Sequence, residues 1–207
     1  LIGTGTSSHA GTITLLADTT IGGTGNTLTQ TGIISGAFNV TKVGTGTLNL
    51  NGANTYSGTT LVSAGTLGVG NATGLGSNAT NLTVASGASF SIGAVAIGAK
   101  PMSIAGTGVG GNGALLGAGT GSYAGAITMT DNTSFGGTGN ATTLSGVISG
   151  AFNITKAGTG AFVLSNASNN FNGNLIINAG AIRVATDGNL GAVPGAVSIA
   201  RITLGGG

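Results

Sequence analysis

Few side chains in this sequence are able to do acid–base, nucleophilic or metal chemistry. The acids are Asp18, Asp131 and Asp187, there is one histidine, His9, and there is no Glu or Cys. A glycosidase-type carboxylate pair would have to come from aspartates more than 50 residues apart, and disulfides and Cys-ligated metal sites are excluded. His9 has only Asp18 near it in sequence, so no triad or metal set is available. Because the repeat places Tyr123 at or next to the same position, we expect the His9 side chain to face a turn. The residues predict no enzyme, no cofactor and no metal site.

One segment fits a nucleotide-binding pattern. Gly106 to Gly111 reads G-T-G-V-G-G, a match to G-x-G-x-x-G, and Asp131 follows about 20 residues later. The dinucleotide fingerprint needs a helix that begins at those glycines, and the following GNGALLGAGTGSYAG does not form one. In a chain this rich in Gly, we interpret the match as chance. Gly-Gly-Thr-Gly-Asn at 22 and 136 resembles calcium-binding nonapeptides but lacks their aspartates.

Two lysines recur in register, and three aromatic residues lie at loop-like positions. Lys42 and Lys156 each end the pattern Phe-Asn-(Val/Ile)-Thr-Lys. An isopeptide cross-link would need a buried acid that recurs with them, and none does, so the prediction is a solvated lysine at the edge of a coil, where it discourages lateral strand pairing. Tyr56, Tyr123 and Phe171 are either contact residues or plugs over the open corner of a coil, and plugs are favoured.

The composition excludes several classes of protein. Gly (44), Thr (32), Ala (28), Asn (19) and Ser (17) make up 140 of the 207 residues. Of the good helix formers, Glu is absent and Gln, Lys and Arg are scarce. A net charge of +2 provides no clustered cations for nucleic acid, and no apolar run approaches the ~20 residues of a membrane-spanning helix. With no initiator Met or leader pattern, the chain is expected to be an excised piece or a mature product.

The chain repeats itself. Gly22–Gly46 and Gly136–Gly160 agree at 18 of 25 positions with a shift of 114 residues, and the match extends back to Leu1 and Leu115. The sequence therefore predicts one continuous domain, 1–207, made of two tandem units, 1–114 and a truncated 115–207, with Lys100-Pro101 as the best candidate for a local irregularity. Such self-similarity is typical of repeat architectures.

A finer pattern lies inside each unit. Triplets of apolar, small and apolar residues recur, among them Phe38–Val40, Leu48–Leu50, Leu67–Val69 and Phe90–Ile92. Period-two alternation indicates short half-buried strands, and the Gly, Asn, Ser and Thr between them suit tight turns. Three strands and their turns occupy about 20 residues, one coil of a β-solenoid. A β-sandwich is the rival, but its turns are less frequent. We expect an all-β parallel β-helix of about ten coils.

The segment Gly44–Gly70, GTGTLNLNGANTYSGTTLVSAGTLGVG, resembles the autotransporter-associated β-strand repeat. The residues that match that motif are Gly44, Gly46, Leu48, Leu50, Gly52, Asn54, Thr55, Tyr56, Ser57, Gly58, Thr60, Val62, Gly65, Thr66 and Leu67. The second copy, Gly158–Val184, is a weaker match, with Asn169-Asn170-Phe171-Asn172 where the first copy has Thr55-Tyr56-Ser57.

The resemblance implies a right-handed parallel β-helix exported across a bacterial outer membrane to the cell surface. The prediction is a non-enzymatic structural segment of a long extracellular protein, a stalk, fibre or surface-layer filament, which self-associates through a near-neutral surface. The alternative is an adhesin that binds a host or cell-surface ligand through side loops. Neither nucleic-acid binding nor membrane insertion of this segment is expected. A pectinase-like enzyme would need several carboxylates on neighbouring coils, which this sequence does not provide.

Overall fold

The protein is an all-β parallel β-helix. The computed structural model describes residues 2–3, 5–139, 141–192 and 202–205. Within these ranges the regular elements are 24 short strands and two 3₁₀ turns, Val109–Gly111 and Asp187–Leu190, with no α-helix. All the strand pairings are parallel. The predicted fold class is confirmed.

Three columns of stacked strands form the three faces of the coil. Face 1 consists of β1 (Ile2–Gly3), β4 (Thr19–Gly23), β7 (Val40–Val43), β9 (Thr60–Val62), β11 (Leu82–Val84), β14 (Met102–Gly106), the start of β17 (Ile127–Gly137) and β19 (Ile148–Ser149). Each strand pairs with the next one along the axis. Beyond β19 the column continues without regular strands, through backbone hydrogen bonds from Phe171 N to Ile148 O and from Ala192 N to Phe171 O.

Face 2 follows face 1 along the chain. It consists of β2 (Ser7–His9), β5 (Thr27–Gln30), β8 (Thr47–Leu50), β10 (Thr66–Val69), β12 (Ser89–Ile92), β15 (Leu115–Gly117), the end of β17, β20 (Ile154–Lys156), β22 (Leu175–Ile177) and β24 (Ile202–Leu204). The long strand β17 bends, and it therefore belongs to two faces.

Face 3 is less regular. It consists of β3 (Ile13–Thr14), β6 (Ile34–Ser35), β13 (Ala96–Ile97), β16 (Ser122–Tyr123), β18 (Thr142–Leu144), β21 (Ala161–Leu164) and β23 (Ala181–Arg183). Between β6 and β13 the column continues through backbone hydrogen bonds without regular strands, from Tyr56 N to Ile34 O and from Ser77 N to Tyr56 O.

The core is a narrow apolar stack along the axis. Alternate strand residues point inward, as Leu48 and Leu50 do in β8 and Phe90 and Ile92 do in β12, and all four are fully buried. Aliphatic side chains in register bury one another from coil to coil, at about 25 cal/mol per Å² of apolar surface removed from water. Stability therefore accumulates through nearest-neighbour stacking.

Several details of the predicted architecture are wrong. The described residues form about eight coils, slightly fewer than the ten expected, although face 2 alone has ten stacked strands. Coil length varies, from 19 residues between Thr47 and Thr66 to 27 between Leu175 and Ile202. Phe38–Val40 is not a strand, since only Val40 belongs to β7 and Phe38 is partly exposed at a corner.

The main irregularity lies a few residues beyond Lys100-Pro101. There the register of β14 and β17 shifts between Ile104 and Gly106, next to the 3₁₀ turn.

Candidate functional site

The motif residues 44–67 span a little more than one coil and serve mainly to close it. Gly44 and Gly65 adopt φ of +74° and +67° at successive corners, a conformation that favours glycine. Gly58 passes so close to the coil below that a Cβ would lie 2.1 Å from the carbonyl oxygen of Phe38. Of the motif's polar residues, Thr55 and Ser57 face the solvent. Leu48, Leu50, Val62 and Leu67 are all buried.

Asn54 joins three coils from inside the protein. Its Oδ1 accepts a hydrogen bond from Ile34 N at 2.8 Å, and its Nδ2 donates one to Gly74 O at 2.7 Å. In the second copy Asn169 does the same with Ile148 N and the carbonyl oxygen of Asn189, at 2.8 and 2.7 Å. Buried backbone groups that lack a strand partner need such a substitute. These side chains replace the strand ladder where it is irregular, on face 3 in the first copy and on face 1 in the second.

Tyr56 and Phe171 fill the same corner in the two copies. Both are fully buried, as is Tyr123, which agrees with the interpretation of these aromatics as plugs and rules out direct contact with a partner. The Tyr56 hydroxyl lies 2.7 Å from Thr60 Oγ1, and the Tyr123 hydroxyl donates to Lys100 O at 2.6 Å. Burial raises the pKa of Tyr56 to about 12 and also raises the pKa of Tyr123.

Lys42 and Lys156 are not solvated, and that prediction is wrong. Both are fully buried. Lys42 Nζ donates to Val43 O (3.0 Å), Gly44 O (2.8 Å) and Ala64 O (2.9 Å), so its three protons are matched by three carbonyl oxygens. The ammonium group thus ties the corner of one coil to the corner of the next.

Lys156 repeats this arrangement with the carbonyl oxygens of Ala157, Gly158 and Ala179. Every hydrogen-bond acceptor of either lysine is a carbonyl oxygen, with no carboxylate at either site to support isopeptide chemistry. The structure reveals a third such lysine that the sequence did not distinguish: Lys100 Nζ donates to Ser77 O and to Thr80 Oγ1.

Burial without a carboxylate partner lowers the pKa of these lysines. The pKa of Lys42 and that of Lys100 are each lowered to about 8 by desolvation, and the pKa of Lys156 is lowered by the same cause. All three lysines of the sequence are therefore internal. This leaves the outer surface with fewer charges than the composition suggests.

His9 lies on strand β2 and not at a turn, so the predicted position is wrong. Its Nδ1 is 2.8 Å from Gln30 Oε1, and the Gln30 amide donates to Gly11 O and Gly32 O. The pair spans two adjacent coils of face 2. This is a structural hydrogen-bond network, since no acid contacts His9.

Gly106–Gly111 does not form a nucleotide site. The segment leads into a 3₁₀ turn of three residues and then into strand β15. A helix N-terminus, which would hold a pyrophosphate, is therefore missing here.

A shallow groove of about 330 Å³ runs along face 2, lined mainly by Leu116, Gly117, Ala118, Gly137, Thr138 and Gly158. No titratable side chain lines it. Within the described ranges no three His, Asp or Glu residues lie close enough to hold a metal ion. A search of the same residues for a long apolar helix of membrane-spanning length found none.

Comparison with known proteins agrees with this geometry. Residues 40–69 and 154–184 match the family described as passenger-associated-transport-repeat. Over 192 residues the chain is 34% identical to "Adhesin BmaC autotransporter" of Brucella suis biovar 1 (strain 1330), a match that covers 88% of this chain and 5% of that protein. The chain thus spans about a twentieth of that relative's length. No solved structure matches the chain.

The fold and the repeats define an exported β-helical protein of the bacterial cell surface. Within that class, the chain is an autotransporter passenger segment that carries two passenger-associated-transport-repeats.

Proposed function

We propose that this segment is a non-enzymatic rod, a stalk or fibre element that gives length and stiffness to a surface adhesin. The observation that carries the proposal is the uninterrupted parallel stack of about eight coils, whose core holds the aromatic plugs and all three lysines. At about 4.8 Å per coil the stack is about 40 Å long. Each added coil would lengthen the rod without a new kind of fold.

The absence of a catalytic cluster among the described residues supports the non-enzymatic part of this proposal. Asp18, Asp131 and Asp187 lie on different coils along the axis, and no titratable side chain lines the groove on face 2. In addition, the protein similar to this chain is named an adhesin.

The rod function can be tested by proteolysis with thermolysin, which cuts beside large apolar residues. Because nearly all of those residues are buried in the stacked strands, we expect the purified chain to resist cleavage within 5–139 and 141–192, apart from cuts beside exposed residues such as Leu16 and Phe38. The same chain in mild denaturant is the control, which shows that thermolysin cleaves this sequence once the strands are loosened. Rapid cleavage at many buried Leu and Phe positions in buffer would contradict a rigid rod.

Self-association is part of the same proposal. The exposed surface is nearly uncharged, and Leu16 and Phe38 are exposed on adjacent coils, Leu16 with 83% of its surface accessible. We expect concentration-dependent oligomers in sedimentation velocity, reduced in Leu16→Ser. Val109→Ser, at an exposed position on another coil, is the matched control. A monomer at all concentrations would exclude self-association by this segment.

Direct ligand binding is the second candidate, favoured by the adhesin name of the similar protein. Beads coated with the chain and beads coated with albumin are compared for adherence to host-cell monolayers. Equal adherence supports a rod function. Adherence of the coated beads that soluble chain competes away supports direct binding.

A further inference from the structure

Equivalent strands of the two copies do not lie on the same face. Strand β2 (Ser7–His9) begins the face 2 column, which continues through β5, β8 and β10 to β12. The 114-residue shift makes Ser122-Tyr123 the equivalent of Ser8-His9. The strand that stacks on β12, however, is β15, which is equivalent to the start of the chain and hence to a face 1 strand.

The other two faces show the same displacement. Tyr123, equivalent to His9 of face 2, pairs with Ile97 on face 3. Ile127, equivalent to Ile13 of face 3, pairs with Met102 on face 1. All three columns are thus continuous along the axis, but the second copy enters each of them one face out of phase with the first.

The physical reason is that 114 residues are not a whole number of coils. Through five successive pairings Val40 is in register with Ile148, five coils further along the axis. The residue equivalent to Ile148 in the first copy is Ile34, about a third of a coil before Val40. One copy therefore winds through about five and one-third coils, or about 26 Å of axis at about 4.8 Å per coil.

We infer that successive copies of this repeat present any given surface position in directions about 120° apart around the rod. The inference rests on the proposed function as an exposed surface segment. The corner Ser-Gly-Ala-Phe-Asn shows it directly, because it occurs unchanged at 35–39 and 149–153. The first joins face 3 to face 1, and the second joins face 1 to face 2.

This geometry determines what kind of partner the repeated surface fits. A flat partner laid along one face meets the same corner only at every third copy, about 77 Å apart at about 16 coils. Separate partner molecules, in contrast, are bound one per copy in three directions. The repeated surface therefore suits several small partners distributed around the rod, and consecutive copies give no avidity towards one flat surface.

Disulfide trapping tests the phase of the two copies in this chain, which has no native cysteine. In the observed register Ser91 is opposite Leu116 on the next coil. If the copies were in phase, Ser91 would be opposite Ser122, the equivalent of Ser8. All three side chains point outward between buried neighbours, and adjacent strands about 4.8 Å apart allow a disulfide.

We expect Ser91→Cys/Leu116→Cys to form an intramolecular disulfide under mild oxidation, identified by peptide mapping. Ser91→Cys/Ser122→Cys should remain reduced. Thr29→Cys/Asn49→Cys, opposite each other within the first copy, is the positive control. The inference is overturned if the control closes and the Leu116 pair does not, or if the Ser122 pair closes instead. Because the bead assay measures binding and not register, its failure is distinguishable from failure of this test.

Discussion

The two copies of the repeat fill the equivalent corner of the coil with different pairs of side chains. In the first copy Tyr56 and Thr60 are buried and share a hydrogen bond of 2.7 Å between their hydroxyl oxygens. In the second copy the corresponding residues are Phe171 and Leu175, both buried and both apolar. Both hydroxyl-bearing residues of the first copy are thus replaced by apolar residues in the second. The comparison shows that the corner requires a matched pair rather than a particular residue, since a lone buried hydroxyl is costly whereas a fully apolar pair is not.

Other parts of the corner are the same in both copies. Asn54 and Asn169 make equivalent pairs of hydrogen bonds, and Lys42 and Lys156 each bind three carbonyl oxygens. The groups they satisfy belong to the backbone, which does not change with the sequence. At this corner, the side chains that bind the backbone are therefore retained, whereas the two hydroxyl groups that bind only each other are lost together.

The largest loss of unfolding free energy is expected at the buried asparagine that both copies have, Asn54 in the first and Asn169 in the second. Asn54→Leu leaves Ile34 N and Gly74 O without their partner, and two buried orphan groups cost about 2–6 kcal/mol of unfolding free energy. Asn169→Leu should cost about the same, measured by urea denaturation. Asn51→Ala, at an exposed position of the same coil, is the control, with a change within about 0.5 kcal/mol. A clear difference between the two Asn→Leu variants would show that the corners are not equivalent.

A smaller loss of unfolding free energy is expected when one residue of the pair is exchanged and the other is not. Tyr56→Phe leaves the buried Thr60 hydroxyl unpaired, and Leu175→Thr introduces an unpaired hydroxyl beside Phe171, each at about 1–3 kcal/mol. The measurement is again urea denaturation, with hydrogen exchange at strands β9 and β22 to localise the loss. If Tyr56→Phe is neutral, the hydroxyl pair has no role in stability.

Completing either exchange should restore most of the stability. Tyr56→Phe/Thr60→Leu converts the first corner to the second, and Leu175→Thr/Phe171→Tyr does the reverse. We expect each double variant to lie within about 1 kcal/mol of the unaltered protein, since both partners are then matched. Double variants as unstable as the sum of their single substitutions would refute the idea of an exchangeable pair.

The smallest effect concerns the lysines. Because the folded pKa of Lys42 is about 8 and the unfolded value about 10.5, the unfolded chain binds more protons between these values, and unfolding free energy should rise as pH increases above 8. Lys42→Met and Lys156→Met should each make this rise shallower in denaturation curves between pH 7 and 9.5. Above pH 10, titration of tyrosines in the unfolded chain opposes the trend. A wild-type curve that falls over this range would mean that the ammonium form is the favoured one.

The repeat and the strand pattern made much of the fold predictable from sequence. The alternation in Leu48–Leu50 and Phe90–Ile92 indicated inward-facing strand residues, and the structure buries them. The lysines could not be placed in this way. Lys42 follows a normal strand alternation, but whether its stem runs inward depends on Ala64 O, 22 residues away in sequence, and only the stacking of two coils brings that acceptor within reach.

The sequence by itself determined that this chain is a parallel β-helix built from copies of one unit, because strand alternation and corner glycines are local properties and the repeat is visible in the residues themselves. Only the tertiary structure decided how many coils form, which polar side chains turn inward, and that the second copy starts one face later than the first. The physical reason is that the length of a coil depends on the conformations of all its corners. A coil that is a few residues longer than its neighbours, such as the 25-residue coil between Phe90 and Leu115, changes the face on which every later residue lies.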